Sequence, residues 1–510
     1  MVFWSYRKPT DTSYPEQALS ANHGQVIAIK DNIATRSLPV TCSSEILRGY
    51  NAPEDATVVR LLKQAGMLVL AKTNMDEFGM GSHTTHSAFG PVMNGSHSNA
   101  ISVGGSSGGS AFAVAADLVK FALGTDTGGS VRLPAAYTSL VGFKPSYGLV
   151  SRNGVIPYAN SLDTVGIIAK SCMDVFLLFQ TLNEHDPEDP TSLTPASRRR
   201  IQFARRERLA RATPGAIHVV PSNAEQHLWR ELRDYQLRKK RRYQELAQLP
   251  RTRRIGVPIE YNIAELHSSV RDAWMLTLSM LQSNGHEIVP ISLPSTKQAL
   301  SAYYVIAPAE ASSNLAKYDG VRYGAKRPDE FDNTSDGVLY AKYRGDHFGE
   351  EVKRRILLGA YSLSAGAIDN YFIQAQKIRR IVQNDFNLVF NMSHPLQSDS
   401  QPASQGVDLI VCPTAPTPPP SLKSLENATP VEGYTNDVFT VPASLAGLPA
   451  ISVPAPPAGN TVVTPDRAIG IQIIGQYGDD YDVIQFAKRE FEERISWDSF
   501  RRLKIGKVLR

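Results

Sequence analysis

Apolar positions along this chain fall into short runs that change period. Gln25–Ile29 (QVIAI), apolar from Val26 onward and ending at Lys30, reads as a buried strand. In Ala56–Ala65, residues Val58, Val59, Leu61, Leu62 and Ala65 recur at helical spacing, and Gly66 follows as a stop. Met67–Ala71 (MLVLA) predicts a second strand, and this strand–helix–strand alternation predicts an α/β sheet. Ser110–Lys120 (SAFAVAADLVK) predicts a small-residue helix, and Ala273–Leu281 an amphipathic one. Ile255–Pro258 (IGVP) restarts ordered α/β sequence, and Val407–Cys412 predicts a strand running into the proline-rich TAPTPPP. Ile469, Ile471 and Ile473 alternate with Gly470 and Gln472 as a late strand, and Asp480–Arg494 predicts a closing helix.

Composition narrows the class. At 510 residues, 42% hydrophobic and 20% charged, the chain can bury a large core and is ordinary for a globular protein. No run reaches the roughly 18 apolar residues that span a bilayer, so no membrane insertion is expected. Cys42, Cys172 and Cys412 lack CxxC spacing, which argues against a disulfide scaffold or zinc site and fits a reducing compartment. The net charge of +5 is local: between Arg198 and Arg254 there are 17 Lys/Arg against 5 Asp/Glu, so the rest of the chain is acidic. Asp186–Pro195 is a Pro/Asp/Thr-rich break before that basic segment, in which Arg230–Tyr243 predicts a solvated helix. The N-terminal MVFWSYRKPT is basic, as in a targeting peptide, but short for a transit helix and without a secretory apolar region.

The chemistry concentrates in two serine-bearing glycine loops, GGSSGGS from Gly104 and GTDTGGS ending at Ser130. Glycines let backbone N–H groups crowd around a ligand, because no Cβ intervenes. A serine hydroxyl needs a base. None of the 11 histidines lies in either loop, but a lysine desolvated enough to be neutral serves, and Lys30 of AIKDN stands at a strand end. A lysine there also reads as a surface side chain with its amine in water. GGSSGGS by itself leaves several readings open. It abuts an apolar helix, unlike a linker, and no GK[ST] follows, unlike a P-loop. Gly104, Ser106 and Gly108 also fit the G-x-S-x-G elbow of α/β-hydrolases.

Taken together, the run GGSSGGSAFAVAADLVKFALGTDTGGSVRLPAAYTSLVGFKPSYGLVS closely resembles the amidase signature family. The resemblance implies an α/β amidase signature fold, a large mixed central β-sheet flanked by helices on both faces. It implies a Ser–cis-Ser–Lys triad, with Ser130 as nucleophile, Ser106 as bridging serine after a cis peptide bond, and Lys30 as terminal base. The N–H groups of Thr127, Gly128, Gly129 and Ser130 would form the oxyanion hole, each donor worth about 3–4 kcal/mol. Ser107 would order the loop without transferring a proton, and no metal is implied.

Further stretches, among them ATVVRLLKQAGMLVLAKTNMDEFGMGS, YYVIAPAEASSNLAKYDGVRYG and YTNDVFTVPASLAGLPAISVP, are most similar to one branch of that family, the A-type subunits of glutamyl-tRNA(Gln) amidotransferases. That likeness implies glutamine as substrate, with Tyr303, Arg355 and Asp437 in its pocket. Arg355 would pair with the α-carboxylate and Asp437 with the α-ammonium. It implies partners as well: a B-type subunit with a small third one and, through the complex, Glu-tRNA(Gln). No cofactor is expected in this chain, with ATP and Mg on the B-type partner. The mitochondrial matrix is the expected location, a bacterial-type cytoplasmic one being the alternative. The expected organisation is a short extension over residues 1–23 and one amidase domain over 24–500, interrupted by the basic insertion at about 196–254. That insertion reads as a tRNA- or partner-contacting arm, as a solvated lineage-specific insertion or as translated non-coding sequence. Two other functions stay open: a free-standing amidase for a small amide, and an RNA-binding or scaffold protein with a dead site.

Overall fold

The computed structural model describes residues 3–6, 22–95, 99–212, 252–324, 340–397, 403–457 and 464–493. Its first strands are β1 (Phe3–Tyr6), β2 (Val26–Lys30), β3 (Leu68–Thr73), β4 (Met93–Asn94), β5 (Ile101–Ser102) and β6 (Phe121–Asp126). They are followed by β7 (Val141–Lys144), β8 (Thr164–Ala169), β9 (Arg254–Pro258), β10 (Glu287–Ile291), β11 (Leu409–Pro413), β12 (Ala450–Pro454) and β13 (Gly470–Ile474). Eleven of them form one sheet in the order β1-β3-β2-β6-β8-β7-β12-β13-β11-β9-β10, while β4 and β5 pair separately. The sheet is mixed: β2 runs parallel to both β3 and β6, whereas β6–β8, β8–β7, β7–β12 and β12–β13 are antiparallel.

Successive strand side chains point to opposite faces, and here both faces are covered. Ile27, Ile29, Phe121, Leu123 and Ile167 join one core cluster, with the helices α1 (Thr57–Gln64) and α4 (Cys172–Leu182). Ala28, Ala122 and Ile168 join a second, with Ala111, Ala113 and Val114 of α2 (Gly108–Ala115). Double-sided burial explains why Val26–Ile29 is apolar throughout rather than alternating. By parity Lys30 shares the face of Ala28. The small residues on that face admit α2 and the glycine loop that precedes it.

Helix α2 stops at Ala115, short of the expected Lys120. Asp117 takes a left-handed φ of 60°, Leu118 N–H donates to the Ala113 carbonyl (3.0 Å) and Asp117 N–H to that of Val114 (3.2 Å). This double closure ends a helix even where the apolar pattern runs on. The ends of the basic segment also pack rather than float. A helix spans Pro195–Ala212, buries Ile201 and anchors Arg198 on the carbonyls of Leu149 and Leu193. At the other end Arg253 is buried, 2.6 Å from Asp482. Residues 213–251, including Arg230–Tyr243, and most of the 1–23 extension lie outside the described residues. No helix among the described residues is long and apolar enough to cross a membrane.

Candidate active site

Three chain segments meet where β2 and β6 end. Lys30 closes β2, wholly buried, and its Nζ lies 2.7 Å from Ser106 Oγ and 3.3 Å from the Thr125 carbonyl. Burial pushes the Lys30 amine down to about 7, although Asp76, Asp126 and Asp163 pull the other way. The surface-lysine alternative therefore fails here.

Ser106 follows a cis peptide bond from Gly105. The glycines around it are places of close approach. A Cβ on Gly105 would stand 2.2 Å from Asp76 Oδ2, and one on Gly109 2.3 Å from the Asn74 carbonyl. Asp76 holds the facing loop through the N–H groups of Thr84 (2.8 Å) and His86 (3.1 Å). Ser107 is buried, with its hydroxyl on the Thr125 carbonyl (3.3 Å) and its N–H on the Ser130 carbonyl (3.2 Å). It thus ties the two glycine loops together.

The second loop, Thr127–Ser130, links β6 to α3 (Arg132–Tyr137) and is held from behind. Arg132 is fully buried and reaches Asp126 Oδ1 (2.8 Å) and Oδ2 (3.0 Å), the Gly128 carbonyl (3.3 Å) and the Thr440 carbonyl (2.9 Å). Thr127 Oγ1 donates to Asp163 Oδ1 at 2.7 Å. Among the described residues, none of the N–H groups of Thr127, Gly128, Gly129 and Ser130 has a backbone acceptor. Ser130 is half-buried, and its hydroxyl makes no hydrogen bond among the described residues.

Of the three residues expected to form the substrate pocket, Tyr303 and Asp437 border this loop. A Cβ on Gly128 would lie 2.7 Å from the Tyr303 ring, and one on Gly129 3.1 Å from Asp437 Oδ1. Asp437 is buried, and its Oδ2 accepts from Tyr304 (3.2 Å) and Ser82 (3.3 Å). Burial pushes its carboxyl up to about 6, against the lowering influence of Arg355 and the Tyr304 hydroxyl. Arg355 is buried, donating to Glu351 Oε1 (2.8 Å) and the Tyr158 hydroxyl (2.7 Å), with its guanidinium 5.4–5.8 Å from the rings of Tyr304, Tyr434 and Tyr158. Neighbouring Arg354 is part-exposed.

Sequence reasoning missed Tyr158, Tyr304, Tyr434, Ser82, Asp76 and Asp163. One helical signal was available for Arg355. Val352, Arg355, Gly359 and Ser362 recur at helical spacing and form the buried face of the helix Glu350–Ser362, while Arg354 is off it. Nothing local marks Tyr304, whose hydroxyl finds its partner 133 positions away.

A family model for amidases matches residues 7–218 and 222–484. The chain belongs to the amidase family. Among its relatives is the A-type subunit of mitochondrial glutamyl-tRNA(Gln) amidotransferase from Coccidioides posadasii, to which the amidase is 55% identical over 484 residues, covering 92% of this chain and 89% of that one. It is 53% identical to the protein of the same name in Emericella nidulans, with coverage of 91% and 88%. The crystal structure of the corresponding Thermotoga maritima amidotransferase protein, likewise of the A type, superposes with a TM-score of 0.69 at 33% identity, over 97% of this amidase and 88% of that chain. Kluyveromyces lactis allophanate hydrolase, at 23% identity and a TM-score of 0.65, shares the fold. The mixed sheet covered by helices on both faces is the fold expected of the family.

Proposed function

We propose that this amidase hydrolyses the side-chain amide of glutamine and supplies the ammonia for conversion of Glu-tRNA(Gln) to Gln-tRNA(Gln) in a mitochondrial amidotransferase. The observation that carries the mechanism is the buried Lys30 amine, 2.7 Å from Ser106 and lowered to a pKa of about 7. The relatives' names support the substrate and the assembly.

In this reading neutral Lys30 accepts the Ser106 proton while Ser106 takes that of Ser130, and Ser130 Oγ forms a bond to the carboxamide carbon. The carbonyl oxygen gains charge facing the N–H groups of Thr127, Gly128, Gly129 and Ser130. Collapse breaks the C–N bond, and the proton held by Lys30 returns through Ser106 to the departing nitrogen. Water then cleaves the γ-glutamyl ester by the same relay, releasing glutamate. Arg355 takes the α-carboxylate, Asp437 the α-ammonium, and Tyr303 lines the approach beside Gly128. Ammonia has to reach its acceptor before bulk water protonates it, which calls for a partner; a B-type subunit with a small third one takes that place in this reading. ATP and Mg belong to that partner, where the glutamyl group of the tRNA is activated.

The test is ammonia release from glutamine by the purified chain, alone and with the partner subunits, beside Ser130→Ala. Release by the assembly that Ser130→Ala abolishes is expected. Turnover of simple amides but not glutamine, insensitive to Arg355→Ala and Asp437→Ala, would instead make this a free-standing amidase.

A further inference from the structure

Between the Asp76 turn and β4, three consecutive residues contact both halves of the site. Ser82 Oγ donates to Asp437 Oδ2 at 3.3 Å. Thr84 Oγ1 donates to the Gly104 carbonyl (2.8 Å) and accepts the Gly108 N–H (3.0 Å), bracketing the turn that carries Ser106. His83, between them, does both. Its Nε2 lies 3.1 Å from the amide nitrogen of Asn436, next to Asp437, and its Nδ1 lies 2.8 Å from Ser102 Oγ.

The donors fix the tautomer. The Asn436 amide nitrogen is only a donor and also reaches the Gly433 carbonyl (3.2 Å), while its oxygen accepts from Tyr137 (3.2 Å). His83 Nε2 is therefore the acceptor, and Nδ1–H donates to Ser102, whose oxygen also receives the Gly104 N–H at 3.0 Å. His83 is buried, and desolvation lowers its pKa to about 4, so the ring stays neutral in this role. The backbone of the same residue presses on the loop: a Cβ on Gly105 would lie 2.6 Å from His83 N.

We propose that Ser82–Thr84 is a clasp, with His83 its central positioning residue, holding the Asp437 pocket and the Ser106 turn in mutual register. Recognition of the amino-acid end of the substrate is thereby tied to the geometry of the proton relay. The inference rests on the reading of Asp437 as the ammonium site and Ser106 as the relay.

Two conservative substitutions separate the halves. In His83→Asn the shorter amide nitrogen replaces Nδ1–H and keeps Ser102, but the acceptor for Asn436 is gone. In His83→Gln the amide oxygen replaces Nε2 and keeps Asn436, but the donor to Ser102 is gone. The full chain, with any subunits that copurify, is assayed on glutamine and on a simple aliphatic amide that lacks the α-ammonium. His83→Asn is expected to raise the glutamine KM about three- to tenfold with little change in kcat, and to leave the simple amide untouched. His83→Gln is expected to lower kcat by a similar factor on both substrates with the glutamine KM kept. The clasp is refuted if both variants move KM and kcat in parallel with a loss of Tm, which marks a merely structural histidine, or if neither moves either constant. A wild type that ignores glutamine overturns the substrate reading and the pocket half with it. The loop half then stands or falls on His83→Gln with the simple amide.

Discussion

Lys30 Nζ and Ser106 Oγ, 76 positions apart in the chain, stand 2.7 Å from one another with the lysine sealed from solvent. A charged ammonium there has lost its water, and the nearby carboxylates of Asp76, Asp126 and Asp163 compensate only in part. A neutral amine is a base, and the hydroxyl beside it is its only side-chain acid partner among the described residues.

The pH dependence of turnover follows. With Lys30 near pKa 7, kcat/KM for a simple uncharged amide should rise about tenfold per pH unit below 7 and flatten above it. A pH–rate series from 5.5 to 9 measures this. A flat profile would remove Lys30 from the base role.

Replacing Lys30 by Met should separate activity from stability. The unfolded amine titrates near 10.5 and the folded one near 7, so between those values only the unfolded chain holds the proton. Stability therefore rises with pH across that window, and the cost of burying Lys30 is fully present below 7. Lys30→Met should abolish turnover yet stabilise the fold at pH 7, by an amount on the order of a few kcal/mol less the lost hydrogen bond, seen as a higher Tm. The gain should shrink toward pH 10. Thermal melts at the two pH values decide it, and a loss of stability at pH 7 would contradict the argument.

As the proposed ammonium site, Asp437 should set a second pH break. Its carboxyl, raised to about 6 by burial, must ionise to hold an ammonium, so the glutamine KM should fall as pH rises through 6. Tyr304→Phe removes a hydroxyl that favours the carboxylate, and should move that break upward while leaving kcat for a simple amide unchanged. Asp437→Asn should raise the glutamine KM about ten- to a hundredfold. Steady-state kinetics on the two substrates measure these shifts, and an unmoved glutamine KM in Asp437→Asn would exclude the ammonium role.

The sequence made some of this visible and not the rest, for physical reasons. The apolar run Val26–Ile29 showed a strand because burial on both faces requires apolar residues throughout, and the final Lys30 stood out against it. The glycine loops were visible because close approach to Asp76, Asn74 and Tyr303 forbids any side chain. The end of α2 was not, since the closure at Asp117 depends on a backbone conformation that the continuing LVKF pattern conceals. Contacts such as His83 with Asn436, 353 positions apart, depend on how the sheet brings distant loops together, and no local period encodes them. At the two ends of the basic segment, charge count alone did not reveal anchoring. Arg198 and Arg253 are tied to the body by carbonyls and a buried carboxylate.

The support behind the second glycine loop gives the last prediction. Burial alone would push the Asp126 carboxyl up, but Arg132, by charge and by hydrogen bonds, with help from Lys144 and the Val131 N–H, holds it below the usual range. Its folded pKa is thus depressed, so the pair contributes stability above about 4 that is lost as pH falls through the folded value. Arg132→Met leaves a fully buried carboxylate without its guanidinium partner and strips the Gly128, Thr440, Gln472 and Ser444 contacts of their donor. At pH 7 the loss should be about 3–5 kcal/mol, with turnover falling because the Thr127–Ser130 loop is no longer held. At pH 5 the difference from wild type should narrow, because a proton on Asp126 relieves the unpaired charge. Arg132→Met/Asp126→Asn should recover part of the Tm at neutral pH without recovering turnover. Melting curves of the three proteins at pH 5 and 7 measure this, and an equal deficit at both values with no recovery in the double variant would show that the ion pair is not what fixes the loop.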